Sequence, residues 1–506
     1  MIQVRKMKFY AGGQWIETKS GKYMPVYNAS TGEVQAEAPC CTAEEVEYAI
    51  NCAQTSYQIW SKTPVMKRVQ VLYNFRDLII KHYDELTETC ACEHGKNWAE
   101  SVGDIAKIKE PVELACGVPS MMMGESLMDT SKGYDTVLYR EPVGVFAGIS
   151  PFNFPGMIPM GWMAPLCIAT GNTIVIKAAS RTPLTSLRCA ELWEEAGLPA
   201  GVLNIVTCSR RESEILLTHP DVRGISFVGT TGVGKHIYGI AAAHGKRVQA
   251  QTEAKNHALV MDDAILEPTA RSIINSAFGC AGERCMALPV VVVHNSVADQ
   301  IVKLLVEYAR KLKIGPAYDR ATDLGPLVTD DHRQSVVKWI EKGIAEGAQM
   351  ILDGRNVTVP GFEKGFYLGP TIFDHVKPGM SVGDQEIFGP VLCIKRVDSF
   401  EEGLSIMNES TLANGSVIYT QSGYYSREFA RNTHGGMVGI NVGIPVPVGL
   451  FPFCGHKDSF FGDLHVLGKD GVRFFTELKA VTSTWFDVEA RHTTKIDSWE
   501  GSVGGS

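Results

Sequence analysis

The sequence predicts an α/β protein with parallel sheets in two α/β domains. Three observations predict it. Short apolar strands alternate with amphipathic helices from about residue 136 to 252. The alternation restarts after Lys255 and runs to about 450. The chain's 506 residues, 45% of them hydrophobic, are enough to bury more than one core.

The elements follow in chain order. Residues 43–60 and 65–92 carry apolar side chains at helical spacing, with Val46, Ile50 and Ala53 in the first and Val69, Leu72, Phe75, Leu78 and Ile79 in the second. A helix-forming stretch covers 98–124. Residues 136–149 alternate and then turn continuously apolar, as a strand does on entering a buried sheet. The charge-free stretch between Glu141 and Lys177 is long enough to suggest a membrane span. It carries Pro142, Pro151, Pro155, Pro159 and Pro165, so it reads as buried strand, loop and helix beside a ligand site. Strands are expected at 172–177, 202–206 and 224–228, with a helix at 184–196 ended by Gly197. After Lys255, strands at 258–261 and 288–294 flank a helix at 266–280. Residues 471–486 end in a strand-like run, and the tail 488–506, closing in Gly and Ser, is expected to be disordered.

Charge and cysteine usage narrow the function classes. The net charge of -8 and the lack of a basic cluster with interleaved aromatics argue against nucleic acid as a partner. Residues 1–10 are mixed and charged, so no secretory signal or membrane association is expected. The 13 cysteines are odd in number, form no CxxC pair and lie at no zinc spacing. That usage fits a reducing, cytoplasmic setting with no metal.

Three segments carry chemistry. In Phe278-Gly-Cys-Ala-Gly-Glu-Arg-Cys-Met286, Gly279 and Gly282 frame a turn after a helix, with Cys285 beside Arg284. A nucleophilic thiol needs exposure and a depressed pKa, and a neighbouring cation supplies the shift. A lone cysteine in such a turn is, however, more often a packing residue. In Ile149-Ser-Pro-Phe-Asn-Phe-Pro155, two prolines fix Asn153 at the carboxyl edge of a strand, where its amide suits an oxyanion or caps the next helix. Ser226-Phe-Val-Gly-Thr-Thr-Gly-Val-Gly234 runs from strand through a Gly-rich turn into a helix, a geometry that presents N–H groups to phosphate. It mimics a triphosphate-binding loop, but His236 stands where that loop needs Ser or Thr.

Together these segments resemble the aldehyde dehydrogenase superfamily. The likeness runs from Asn28-Ala-Ser-Thr-Gly-Glu33 to Phe474-Phe-Thr-Glu-Leu-Lys479 and includes Glu386-Ile-Phe-Gly-Pro-Val391. The resemblance implies the aldehyde dehydrogenase fold, with Cys285 as nucleophile and Asn153 and the Cys285 N–H as oxyanion donors. It implies a cofactor, NAD or NADP, near Ser150, Phe152, Lys177, Ser180, Arg181, Gly229, Thr230, Glu386 and Phe388. It implies a cofactor domain over 1–127 and 143–252 and a catalytic domain over 253–450 with part of 451–474. Strands at 128–142 and 475–487 would pair between subunits, giving a homo-oligomer, a dimer or a homotetramer built as a dimer of dimers.

Within the superfamily, Pro111-Val-Glu-Leu-Ala-Cys-Gly-Val-Pro119, Ala254-Lys-Asn-His257, Gly282-Glu-Arg-Cys-Met286 and Asp458-Ser-Phe-Phe-Gly-Asp-Leu-His465 resemble the methylmalonate- and malonate-semialdehyde dehydrogenases. That branch passes its acyl group to coenzyme A and decarboxylates the substrate. Gln251 fills the position of the Glu that activates water in hydrolytic members, and a neutral amide cannot take a proton from water. Glu253, where the family usually has Gly, is a second candidate base, and a hydrolytic enzyme making free acid is the rival reading. A non-catalytic relative is the other, against which the joint presence of Cys285, Asn153, Lys177 and Glu386 speaks. Lys107 stands where the branch usually carries an Arg for the substrate carboxylate, with Arg284 as another candidate. Ser180 replaces a Glu that repels a ribose 2′-phosphate, and Arg181 follows it, so NADP should be accepted.

Overall fold

The computed structural model describes residues 4–131 and 133–485. The tail expected at 488–506 lies outside the described residues. Two large sheets organise the chain. The first has eight strands in the order Phe460–Gly462, Arg247–Gln251, Val222–Val228, Val145–Ile149, Thr173–Lys177, Leu203–Val206, Phe9–Ala11 and Gln14–Ile16. The five strands from Arg247–Gln251 to Leu203–Val206 are parallel, and the outer ones are antiparallel. Such strands are buried on both faces by crossover helices, hence their unbroken Val and Ile runs. Ile174, Val175 and Ile176, for example, are fully buried.

The second sheet has seven strands, ordered Gln349–Leu352, Thr371–Asp374, Val391–Val397, Val290–His294, His257–Val260, Gly415–Tyr419 and Met437–Ile440. All its pairs are parallel except the first. Residues 150–153, Lys177, Gly229 and Gln251 follow or end strands of the first sheet. Cys285 and Glu386–Gly389 precede strands of the second. The carboxyl edge of one sheet therefore meets the amino edge of the other. Ligands of open α/β sheets gather at such carboxyl edges.

Three expectations need correction. The helix read at 65–92 is two, Val65–Lys81 and Tyr83–His94, broken at His82, whose backbone (φ -103, ψ 22) leaves the helical region. The helix read at 98–124 ends at Cys116, and a short turn Val118–Met121 follows Gly117. The run read as one strand over 136–149 is two strands in different sheets, Tyr134–Pro142 and Val145–Ile149. Gly144 makes the break with φ +147, and a Cβ there would lie 2.7 Å from the Arg223 side chain. The N–H groups of Val143 and Gly144 donate to Asn172 Oδ1 at 2.7 and 2.9 Å.

The charge-free segment becomes a π-helical turn, Met157–Met163, running into the helix Ala164–Ala169, and all of it is buried. The third sheet, Thr476–Thr484, Tyr134–Pro142 and Ser126–Ser131, is antiparallel. The strands expected to pair between subunits thus pair with each other within the chain. Leu127, Met128, Leu478 and Val481 on this sheet are exposed.

Candidate active site

The loop after helix Leu266–Phe278 carries Cys285. It is a tight 3₁₀ turn, Gly279–Gly282, with Cys280 and Ala281 both at φ 52. Such left-handed backbone is rare outside glycine and is held only where the surroundings dictate it. At Gly282 (φ +76) a Cβ would lie 2.1 Å from the Gly389 carbonyl oxygen, so only glycine lets this loop meet the Glu386–Gly389 loop. The Cys285 carbonyl accepts from Asn256 Nδ2 (2.9 Å) and Asn414 Nδ2 (3.3 Å). Cys285 is thereby anchored through its backbone, leaving the thiol free.

The thiol is not the depressed one expected beside Arg284. Burial pushes its pKa up to about 12, Glu386 adds to the rise, and Arg284 opposes it. Arg284 is already spoken for: its Nη2 pairs with the Glu100 carboxylate, and Cys280 Sγ lies 3.5 Å away. An ion pair presents little net field to a third group.

Asn153 is buried. Its Nδ2 donates to the Glu283 carbonyl at 3.1 Å, which ties it to the cysteine loop, while Oδ1 has no partner among the described residues. Its own carbonyl accepts from Lys96 Nζ at 2.5 Å. Lys96 also pairs with Asp104 at 3.0 Å with both side chains fully buried, and Asp104 Oδ1 accepts from the Met157 N–H at 2.6 Å. Burial opposes the charge on Lys96, but Asp104, Cys280 and Cys90 together raise its pKa. The Asn153 turn thus rests on an ion pair that no sequence pattern announced. The nearest signal was the spacing of Glu100, Asp104 and Lys107 on one face of helix Trp98–Cys116.

The candidate cofactor residues line the same edge. Lys177 ends its strand, and its amine makes no hydrogen bond among the described residues; burial lowers its pKa. Ser150 donates its N–H to the Lys177 carbonyl at 3.1 Å. Phe152 and Phe388 stand edge to face with centroids 5.8 Å apart. Ser180 and Arg181 are half-buried after the Lys177 strand, and the Arg181 charge helps lower the pKa of His332 after burial. The Gly229 N–H donates to the Gln251 carbonyl at 3.1 Å. Thr230 is the N-cap of helix Thr231–Ala243, but its side chain makes no capping hydrogen bond. Glu386 accepts from the Ala254 N–H at 2.9 Å, and burial raises its pKa to about 8. An uncommitted amine, a free hydroxyl at a helix N-terminus and a buried carboxyl fit the ribose and phosphate groups of a dinucleotide.

Gln251 is buried; its Nε2 donates to the Phe453 carbonyl at 3.1 Å, and Oε1 has no partner among the described residues. The Glu253 carboxylate accepts from the Thr231 N–H at 3.1 Å and so caps a helix. Lys107 pairs with Glu110 at 2.6 Å, and Glu110 in turn holds the Gly449 N–H. The two candidate carboxylate-binding cations, Lys107 and Arg284, therefore each have an acidic partner.

A profile of the aldehyde dehydrogenase family matches residues 15–481. The chain is 48% identical over 482 residues to malonate-semialdehyde dehydrogenase 2 of Geobacillus kaustophilus, covering 95% of this chain and 99% of that one. It is 46% identical over 482 residues to the malonate-semialdehyde dehydrogenase of Bacillus pumilus, with the same coverage. Among solved structures, methylmalonate-semialdehyde dehydrogenase from Oceanimonas doudoroffii superposes with a TM-score of 0.94 at 39% identity, over 96% of this chain and 100% of that one. A Sinorhizobium meliloti 1021 protein assigned as a methylmalonate-semialdehyde dehydrogenase, complexed with NAD, gives the same score and identity over 96% and 99%.

Proposed function

The chain belongs to the aldehyde dehydrogenase family, and on that premise we propose that it oxidises a malonate-semialdehyde-like aldehyde through a thioester on Cys285 and passes the acyl group to coenzyme A, with decarboxylation. The observation that carries the coenzyme A step is Gln251. Its amide is buried and bonded to a backbone carbonyl. A neutral amide cannot take a proton from water, whereas a thiol nucleophile needs less help. Relatives named malonate-semialdehyde dehydrogenase support the substrate class.

The chain's own groups divide the work. The Cys285 thiol loses its proton to solvent, and the thiolate sulfur adds to the carbonyl carbon as the carbonyl π pair moves onto the oxygen. The Asn153 Nδ2–H and the Cys285 N–H donate to the oxygen that becomes an alkoxide; such donors are worth about 10²–10³-fold in rate. Lys177 and Glu386 would hold ribose hydroxyls, Gly229 and Thr230 would take the pyrophosphate, and Phe152 and Phe388 would flank the nicotinamide. Ser180 and Arg181 in place of an acid let NADP bind as well as NAD. The bound dinucleotide supplies the hydride acceptor. The domains divide as 1–127 with 143–252 for the cofactor and 253–450 for Cys285. The exposed apolar face of the third sheet supports a homo-oligomer.

The test is to mix enzyme, malonate semialdehyde and NAD or NADP, with and without coenzyme A, and follow reduced cofactor. One equivalent per site without coenzyme A, becoming steady turnover with it, is the expected result. Steady turnover without it would make water the acceptor and sink the coenzyme A step.

A further inference from the structure

We propose that Glu253 is an internal anion that holds the phosphate-binding turn of the free enzyme, and that cofactor binds by displacing its carboxylate. The proposal rests on the dinucleotide reading of the Gly229–Thr230 turn given above.

The geometry begins with a helix that does not cap itself. Thr230 sits at the N-cap of Thr231–Ala243 with extended backbone (φ -74, ψ 150), yet its hydroxyl makes no capping bond. The first four N–H groups of a helix have no partner inside it and carry the positive end of its dipole. Here the Thr231 N–H donates to a side chain 22 positions away, the Glu253 carboxylate, at 3.1 Å. A carboxylate thus occupies the place that the strand–glycine–helix turn offers to a phosphate.

The contact is imposed by the backbone. On one side the Thr252 N–H donates to the Ser459 carbonyl at 3.0 Å, and Ser459 Oγ donates to the Glu253 carbonyl at 2.7 Å. Beyond it, the Ala254 N–H donates to Glu386 at 2.9 Å. Thr231 Oγ and Thr252 Oγ both reach the Asp458 carbonyl, at 3.4 and 2.6 Å, joining the helix start to the same segment. The main chain on both sides of Glu253 is held, so only its side chain can move. It cannot retreat toward Glu386 without bringing two carboxyls together. An arriving pyrophosphate and the Glu253 carboxylate want the same N–H group and repel each other. Binding therefore swings the carboxylate outward and forfeits its bond. Glu253 weakens cofactor affinity, which favours release of reduced cofactor once the hydride has moved.

The experiment is equilibrium binding, followed by tryptophan fluorescence, of ADP-ribose, NAD and adenosine to the full chain and to Glu253→Gln and Glu253→Ala. ADP-ribose carries the pyrophosphate without the cationic nicotinamide, and adenosine carries neither. Expected is a gain of about five- to tenfold in ADP-ribose affinity in both variants, with adenosine unchanged. Hydrogen exchange gives a second readout: the 229–234 segment should lose protection in free Glu253→Ala and regain it with ADP-ribose. ADP-ribose affinity unchanged within about twofold would make the contact a structural cap only and overturn the proposal. Weaker NAD binding with ADP-ribose unaffected would mean that the carboxylate serves the nicotinamide cation, which also overturns it. If neither wild type nor variants bind ADP-ribose or NAD while remaining folded, the dinucleotide reading itself fails, and the proposal with it.

Discussion

Cys285 should react slowly with electrophiles in the free enzyme, and its rate should climb with pH far beyond the range of an ordinary thiol. Burial, then Glu386, lift its pKa from 9.0 to about 12. A thiol at the usual value is about one-tenth ionised at pH 8, whereas one near the raised value is ionised about once in ten thousand molecules. The attacking species is the thiolate, so alkylation at pH 8 should be about a thousandfold slower than for an unhindered cysteine. The assay is iodoacetamide labelling from pH 6 to 10.5, scored on the Cys285 peptide by mass spectrometry. That resolution matters because Cys40, Cys52, Cys92 and Cys454 are also partly exposed. The rate should rise about tenfold per pH unit with no plateau by pH 10. Replacing Glu386 by Gln should speed it severalfold above pH 8, where that carboxyl carries charge. A plateau below pH 9 in the wild type would refute the reasoning. It would mean that Arg284, despite its pairing with Glu100, still polarises the thiol.

Three further outcomes follow from the same geometry. Asn153→Ala should lower the single-turnover rate of cofactor reduction by about 10²–10³-fold with little change in unfolding midpoint, since it removes the proposed oxyanion donor. Gln251→Glu should raise acyl-enzyme hydrolysis without coenzyme A, by no more than the general-base range of about 10²–10⁴; the gain should fall short because the new carboxylate faces the Phe453 carbonyl that Nε2 now satisfies. Lys96→Met should cost about 3–5 kcal/mol in denaturant unfolding by leaving Asp104 buried without its cation, and Lys96→Met with Asp104→Leu should recover part of it.

Much of the fold was legible because parallel strands and crossover helices write themselves as hydrophobic periods. The strands expected at 172–177, 202–206 and 224–228 appear as Thr173–Lys177, Leu203–Val206 and Val222–Val228. The misreadings fall where backbone, not period, decides. Helical spacing continues through His82, so nothing in the apolar pattern marks the break between Val65–Lys81 and Tyr83–His94. The run over 136–149 stays strand-like while Gly144 turns it from one sheet to another. The site divides along the same line. Cys285, Asn153 and Gly229 stand out as candidates because each lies in a Gly- or Pro-marked segment, whereas Lys177 ends a plain strand and is singled out only by the family resemblance. The ion pair beneath Asn153 does not stand out, because Lys96 and Asp104 come from chemically ordinary positions that only the tertiary fold buries together.

The polar atoms that the fold leaves unsatisfied connect these points. Buried polar groups almost always find partners, so each exception calls for a cause. Asn153 Oδ1, Gln251 Oε1 and Glu283 Oε2 lack one among the described residues, as do His82 Nε2, His94 Nε2, Trp193 Nε1 and Thr433 Oγ1. Asn153 and Glu283 belong to the cysteine loop and the turn bonded to it, and Gln251 ends the strand that leads to Glu253. A chain that satisfies Asn172 and Asn204 with two or more bonds each could have satisfied these as well. Three of the seven such atoms thus fall on the candidate-site segments, as expected where donors and acceptors are held for groups that arrive with the reaction. A thiol raised by burial should, by the same physics, react slowly with oxidants and electrophiles near neutral pH.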